Sequence, residues 1–217
     1  MTLDNLTTMI KSRHSIRKWQ DKEVPEELLL KAVELATLAP NGGNQQNWYF
    51  YVIRNRDIIK TIADIVQKST AKLVSWPEAG QFKEVTPNMV ERSGFFQHAP
   101  AAIAIAARDY QSVVDKVLAV RENADPEAGK MRQWRNIANA RIQSVAAAIA
   151  YLLLVLNEMG LGGVWMTGPM QVKEEIEKIL KVPSDMDVVA FIPIGYPAET
   201  PEPMGRRPLS EVCEVVK

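Results

Sequence analysis

The chain has little of what many enzymes carry their chemistry on. It holds one cysteine, Cys213, and two histidines, His14 and His98, far apart in the sequence. A lone thiol excludes an internal disulfide and any cysteine-based metal cluster, and it fits a reducing, cytoplasmic setting. Cys213 reads as a small apolar filler, not a redox thiol. Neither histidine has a carboxylate at ligand spacing, so no metal site is expected. There is no G-x-S-x-G, no Cys–His couple and no Walker A loop. Neither sign of charge is in excess: 26 basic and 26 acidic residues give a formal net charge of zero. Nucleic acid and anionic membranes are therefore not expected partners. Long hydrophobic runs are also missing. The longest, Val145–Leu156, has twelve residues, against about twenty for a membrane span. It reads as a buried helix. Met1–Ser12 contains Asp4 and Lys11 and no apolar core, so no secretory signal is expected.

What is present is an ordinary globular composition, 47% apolar and 24% charged over 217 residues. That suffices for one domain spanning 1–217 with a sizeable core. Its most concentrated chemistry is Arg13-His14-Ser15-Ile16-Arg17. In an extended segment alternate side chains share a side, which groups Arg13, Ser15 and Arg17. Two guanidinium forks and a hydroxyl suit a phosphate dianion. A second pair, Arg206-Arg207, stands near the C-terminus. The competing reading of each is a plain charged surface.

The remaining elements follow in order. Leu3, Leu6, Met9 and Ile10 recur at helical spacing. Val24-Pro25-Glu26-Glu27 opens a second helix that Pro40 ends. Pro40-Asn41-Gly42-Gly43-Asn44-Gln45-Gln46-Asn47-Trp48 is an amide-rich loop feeding a strand over Trp48–Ile53. Amides both donate and accept, which suits a heterocycle with alternating edges. Asp57–Val74 is helical. Residues 75–97 carry breakers and the aromatics Trp76, Phe95 and Phe96, as a mobile cover or a packed surface loop would. Pro100–Ala107 is a strand and Ser112–Arg121 a helix. From about Met131 to Met159 one unbroken helix is expected, a natural dimer spine. Gly160 caps it, and Trp165-Met166-Thr167-Gly168 follows as a strip that offers backbone to a flat ligand. Val172–Leu180 is a helix and Val188–Ile194 a strand. Prolines at 197, 201, 203 and 208 then stiffen an arm over about 196–217.

Arginine-rich ends, an amide loop and no evident acid–base pair point to a cofactor that does the reacting. It should be phosphorylated, aromatic and polar at its edge, terms that FMN meets. The order of motifs resembles the FMN-dependent nitroreductase superfamily over nearly the whole chain: Arg13 to Arg17, Ala39 to Trp48, Gly160-Leu161-Gly162-Gly163-Val164-Trp165, Gly195-Tyr196-Pro197 and Arg207-Pro208-Leu209. Two positions depart from the family pattern, Asn41 after Pro40 and Asn47 before Trp48.

The resemblance implies an α+β fold with a central, mainly antiparallel sheet flanked by helices. It implies a homodimer whose C-terminal arm is swapped onto the partner, with FMN at the interface. Arg13, His14, Ser15, Arg17 and Arg206 (or Arg207) would hold the phosphate and ribityl chain. Pro40, Asn41, Asn44 and Gln46 would reach the flavin from the partner. Trp165, Met166, Thr167 and Gly168 would lie along the ring, with one of Trp165 and Met166 also serving as core. No side chain is implied as catalytic, since flavin N5 takes hydride from NADH or NADPH. A nitroaromatic, quinone or similar small acceptor would then use the same space in ping-pong fashion. The same scaffold also allows reductive dehalogenation, with Lys83, Glu84, Glu91 and Arg92 as candidate lid groups, or breakdown of FMN. A non-enzymatic FMN sensor is the remaining alternative.

Overall fold

The computed structural model describes residues 2–82, 84, 86–110 and 112–217. Its frame is a four-stranded antiparallel sheet, β1 (Trp48–Ile53), β2 (Ala101–Arg108), β3 (Gly162–Gly163) and β4 (Met186–Gly195), in the order β1-β2-β4-β3. β2 is central and apolar on both faces. Ala101, Ile103, Ile105 and Ala107 meet α2 (Glu26–Ala36) and α7 (Ala140–Glu158). Ala102, Ala104 and Ala106 meet α3 (Arg56–Val74) and α8 (Lys173–Leu180). A strand buried on both faces reads as a continuous apolar run, as Pro100–Ala107 did. Each fully buried Leu or Ile side chain, Leu29, Ile59, Ile62 and Leu152 among them, contributes about 1.5–3 kcal/mol.

The helices start where short polar side chains cap them. Thr2 accepts from Asn5 N to open α1 (Leu3–Ser12), and Asn55 accepts from Asp57 N at 2.9 Å to open α3. The expected single helix from Met131 to Met159 is in fact two, α6 (Pro126–Ala138) and α7. Asn139, at φ 43°, breaks it. Asparagine tolerates the left-handed region, and here its Oδ1 caps Ile142 N at 3.2 Å. α6 packs instead on α5 (Val113–Arg121) as a hairpin. The stretch Pro126–Glu158 is long and apolar enough to cross a bilayer by length and composition. Its second half, however, buries Val145, Ala148, Ile149, Leu152 and Leu156 against the sheet, so α7 is a core helix. Gly160, at φ 73°, ends α7, and Leu161 N reaches back to Leu156 O at 2.8 Å.

Over 75–97, where the sequence allows either a mobile cover or a packed surface loop, the aromatics divide. Trp76 and Phe82 face solvent, but Phe96 is fully buried against Phe191, and Phe95 stacks on Trp19. α4 (Met89–Ser93) packs on α3. Lys83 lies outside the described residues; Glu91 and Arg92 are exposed on α4. Cys213 is exposed, not an apolar filler.

Candidate functional site

Ile16 fixes the arginine segment. Its side chain is buried, and its N–H donates to Gly163 O at 3.1 Å. A Cβ built on Gly162 would stand 2.3 Å from Ile16 Cγ1, so the segment approaches β3 as closely as it does because that residue is glycine. Trp19 Nε1 donates to Gly162 O at 2.9 Å. From the other side, Glu199 accepts from Arg17 N at 2.6 Å and Lys18 N at 3.1 Å, and Ala198 N donates to Lys18 O at 3.0 Å. With its backbone pinned and Ile16 turned inward, the segment leaves Arg13, His14 and Ser15 half-buried and Arg17 exposed. Neither guanidinium meets a carboxylate among the described residues. These are uncompensated positive charges held on a rigid edge.

The strip 164–168 continues along that edge. Met166 and Phe191 exchange backbone bonds at 3.1 and 3.0 Å. Pro193, two residues on along β4, has no N–H to donate to the same side, and regular pairing lapses between Gly163 and Met166. Alternation along the strand turns the Trp165 N–H away from β4, and it finds no partner among the described residues. Met166 packs into the α3-side core while Trp165 is 39% exposed. One of the pair is thus core, as expected. Thr167 and Gly168 are exposed.

The amide loop sits at the opposite end of the sheet. Trp48 pairs with Ala107, whereas the arginine segment lies by Gly162, Gly195 and Ile194, next to Ala101. The length of β2, about 20 Å at the usual rise, separates the two. Within the loop, Asn41 Oδ1 accepts from Gln46 N at 2.9 Å, Gln46 Nε2 donates to Asn44 Oδ1 at 3.3 Å, and Gly42 N donates to Ser144 Oγ at 3.2 Å. Pro40, Asn44 and Gln46 are exposed, and Asn44 and Gln46 have positive φ. Arg206 and Arg207 are exposed too. Among the described residues, Arg206 Nη1 donates only to Met204 O and Gly205 O.

The structure adds a polar cluster that sequence patterns did not single out. Asn47 is buried, and its amide donates to Arg108 O at 3.2 Å and Arg141 O at 3.4 Å. Arg141 Nη2 donates to Ala107 O at 2.6 Å and to Asp187 at 2.5 Å. Lys173 Nζ joins Asp187 at 2.8 Å and Glu177 at 2.9 Å, and Glu177 accepts from Val188 N at 2.8 Å. Lys173 first, then Arg141, holds the Asp187 carboxyl below its ordinary range. Asp187 first, then Glu177, holds the Lys173 ammonium above its own. The only sequence signal was Asn47, inside the amide loop; the rest of the cluster comes from four distant segments, at 107–108, 141, 173–177 and 187–188.

Comparison with known proteins agrees with this architecture. An NADH dehydrogenase of Thermus thermophilus is 30% identical, over 97% of this chain and 95% of its own. The crystal structure of a BluB-like flavoprotein from Clostridium difficile 630 superposes with a TM-score of 0.83 at 28% identity, covering 98% and 99% of the two chains. Oxidised iodotyrosine deiodinase bound to FMN and 3-iodo-L-tyrosine shares the fold at a TM-score of 0.69 and 23% identity, over 98% of each chain. The sequence model of the nitroreductase family matches residues 10–196, and the chain belongs to that family.

Proposed function

We propose that the chain is a homodimeric, cytoplasmic FMN oxidoreductase that uses NADH or NADPH to reduce nitroaromatics, quinones or related small acceptors. The observation that carries this reading is the pair of uncompensated guanidiniums, Arg13 and Arg17, fixed beside a strand edge whose Trp165 N–H is free. Such a site fits a phosphorylated, flat, edge-polar ligand: forks for the phosphate, a hydroxyl at Ser15 and backbone at the ring. FMN, when bound, supplies the two-electron chemistry.

The chain's own residues would do four things. Arg13, Ser15 and Arg17 would hold the phosphate end, with His14 beside them. Trp165 to Gly168 would set the ring's depth against the sheet edge. Pro40, Asn41, Asn44 and Gln46 lie too far along β2 to serve the same copy, so a second copy would bring its loop to the ring. The arm beyond Glu199, which carries Arg206 and Arg207 and is exposed over 202–217, would cross to the partner. One ligand face then serves donor and acceptor in turn, which predicts ping-pong kinetics. Support for FMN comes from the family and from the FMN-bound deiodinase of the same fold.

That deiodinase also supports a second reading, reductive dehalogenation of a halogenated phenol. One experiment separates the readings. The purified protein should show flavin absorbance, extractable as FMN, that bleaches when NADH or NADPH is added without oxygen. Colour should return on adding a nitroaromatic or quinone. Reoxidation by 3-iodotyrosine alone would favour the second reading. A flavin that neither nucleotide reduces would end the first.

A further inference from the structure

We propose that Asn47 is the positioning residue of the amide loop. It hangs the loop from the first turn of α7 and so sets where Asn41 to Gln46 stand. The proposal rests on the function inferred above, in which this loop borders the flavin of a second copy.

The tip of the loop, Gly43 to Gln46, is exposed and lies between two buried anchors. At the first anchor, Gly42 N donates to Ser144 Oγ at 3.2 Å, and the Ser144 hydroxyl donates to Ala140 O at 2.9 Å. At the second, the Asn47 amide donates to Arg108 O and Arg141 O. Arg108 N donates in turn to Asn47 O at 2.8 Å, just beyond the β1–β2 ladder. Asn47 and Ser144 are each only 4% exposed. Arg141 and Ser144 share one turn of α7, so both anchors hang from the same place. That turn is itself fixed. The Arg141 side chain meets Asp187 on β4, and Asp187 meets Lys173 on α8. Charges in this cluster are matched, so it serves as a rigid mount.

Two observations separate position from stability. Asn47 Oδ1 and Arg141 Nε are buried without a partner among the described residues. An unpaired buried acceptor is a cost that an apolar side chain of similar size would avoid. The gain from asparagine lies in the two bonds of its amide nitrogen, and one of them reaches the mount. The loop also holds Asn44 at φ 51° and Gln46 at φ 46°. Left-handed backbone is uncommon for glutamine. It persists where the surroundings over-determine it, as at ligand clamps. The two anchors do so here, together with Asn41 Oδ1, which accepts from Gln46 N at 2.9 Å.

The test compares the protein, in excess FMN, with its Asn47→Leu variant, which is close in size and cannot donate. Hydrogen exchange reads the loop, and stopped-flow absorbance reads flavin reduction at saturating NADH or NADPH. We expect the Gln46 amide to exchange about tenfold faster. Flavin reduction should slow about tenfold, because small displacements of a bound geometry cost that much. The melting temperature should move by less than about 2 °C. Ser144→Ala removes the other anchor and should shift exchange and rate in the same direction, which keeps the test decisive if Asn47→Leu does not fold. A lower melting temperature with unchanged exchange and rate would overturn the proposal and make Asn47 a stability residue. Faster exchange with an unchanged reduction rate would overturn it as well, by separating the loop from the flavin. Failure of the proposed function looks different. A flavin that neither nucleotide reduces in the unaltered protein ends that function, and the exchange measurement still decides whether Asn47 holds the loop.

Discussion

Two groups of arginines stand at opposite ends of one sheet, and the fold treats them differently. Arg13 and Arg17 lie beside Gly163 with rigid backbones and no carboxylate partner. Arg132, Arg135 and Arg141, at the Ala107 end, each meet at least one carboxylate. A guanidinium is always charged, so leaving it unpaired on a fixed edge costs stability unless a ligand restores the balance. On the proposed function, the first group would take a strong anion. The second is scaffold, its three guanidiniums meeting the carboxylates of Asp109, Asp115, Glu122 and Asp187. The end of the sheet that is better satisfied is also the one that carries the amide loop, which a single chain cannot bring to its own arginines.

The strongest break in this comparison is to remove the connection between copies. Deleting 201–217 keeps Ala198 and Glu199, which pin the arginine segment, and removes the exposed arm. An obligate interface buries more than about 2,000 Å². We expect the truncated chain to run as a monomer in sedimentation and to retain less than about a tenth of its FMN, because both half-sites then stand alone. A truncated dimer that stays yellow would show that the arm has no such role.

The next effect is local to the first group. Arg13→Ala should weaken FMN binding by about 1.5–3 kcal/mol, or one to two decades. Arg17→Lys should weaken it less but measurably, because an ammonium cannot replace a bidentate fork. Fluorescence titration of the flavin reads both. Arg132→Gln, in the second group, should leave flavin affinity alone. Equal losses at the two ends would erase the distinction between them.

Gly162→Ala sharpens the same point through packing. The new methyl would meet Ile16 at 2.3 Å, so the arginine segment must lift from β3. Overpacking of this kind costs about 1–3 kcal/mol. Thermal unfolding should show that loss, and FMN affinity should fall with it, although no phosphate contact is touched. Loss of stability with unchanged flavin affinity would separate the segment's position from its function.

What the sequence revealed follows from how local each cause is. β1 begins at Trp48 and ends at Ile53, as its aromatic and β-branched run required. In the arginine segment, alternation sets Ile16 opposite Arg13, Ser15 and Arg17 in the sequence, and Ile16 is buried as the inward anchor. The break at Asn139 was not foreseen, since one asparagine in an apolar run is compatible with helix until a neighbouring hairpin pulls it apart. For Phe96 the sequence leaves a cover and a packed loop equally open, because nothing nearby in the chain shows Phe191 beneath it. Glu199, which fixes Arg17, carries no local signal at all; its role exists only because β4 returns the chain to that edge.

The smallest expected effect concerns the polar cluster under the amide loop. Asp187 is held below its ordinary range by Lys173 and Arg141. A carboxyl whose folded-state pKa is depressed adds stability above its unfolded value, about 3.9, and loses it as the pH falls below that. Lys173 is shifted the other way, so its share is present below about 10.4 and is lost as the pH rises beyond. Both windows lie outside neutrality, and between them the pair should contribute a constant amount. The groups are partly exposed, so that amount is about 1 kcal/mol. Asp187→Asn should therefore lower the melting temperature uniformly from pH 5 to 9, a span these shifts set at roughly one unit inside each limit. Below about pH 4 the two melting curves should begin to converge, because the unfolded carboxyl then takes up a proton while the native one, held lower, still resists it. Curves that stay parallel down to pH 2.5, well under the ordinary range of about 3.9, would mean that the loss at neutral pH is one of packing and not of charge.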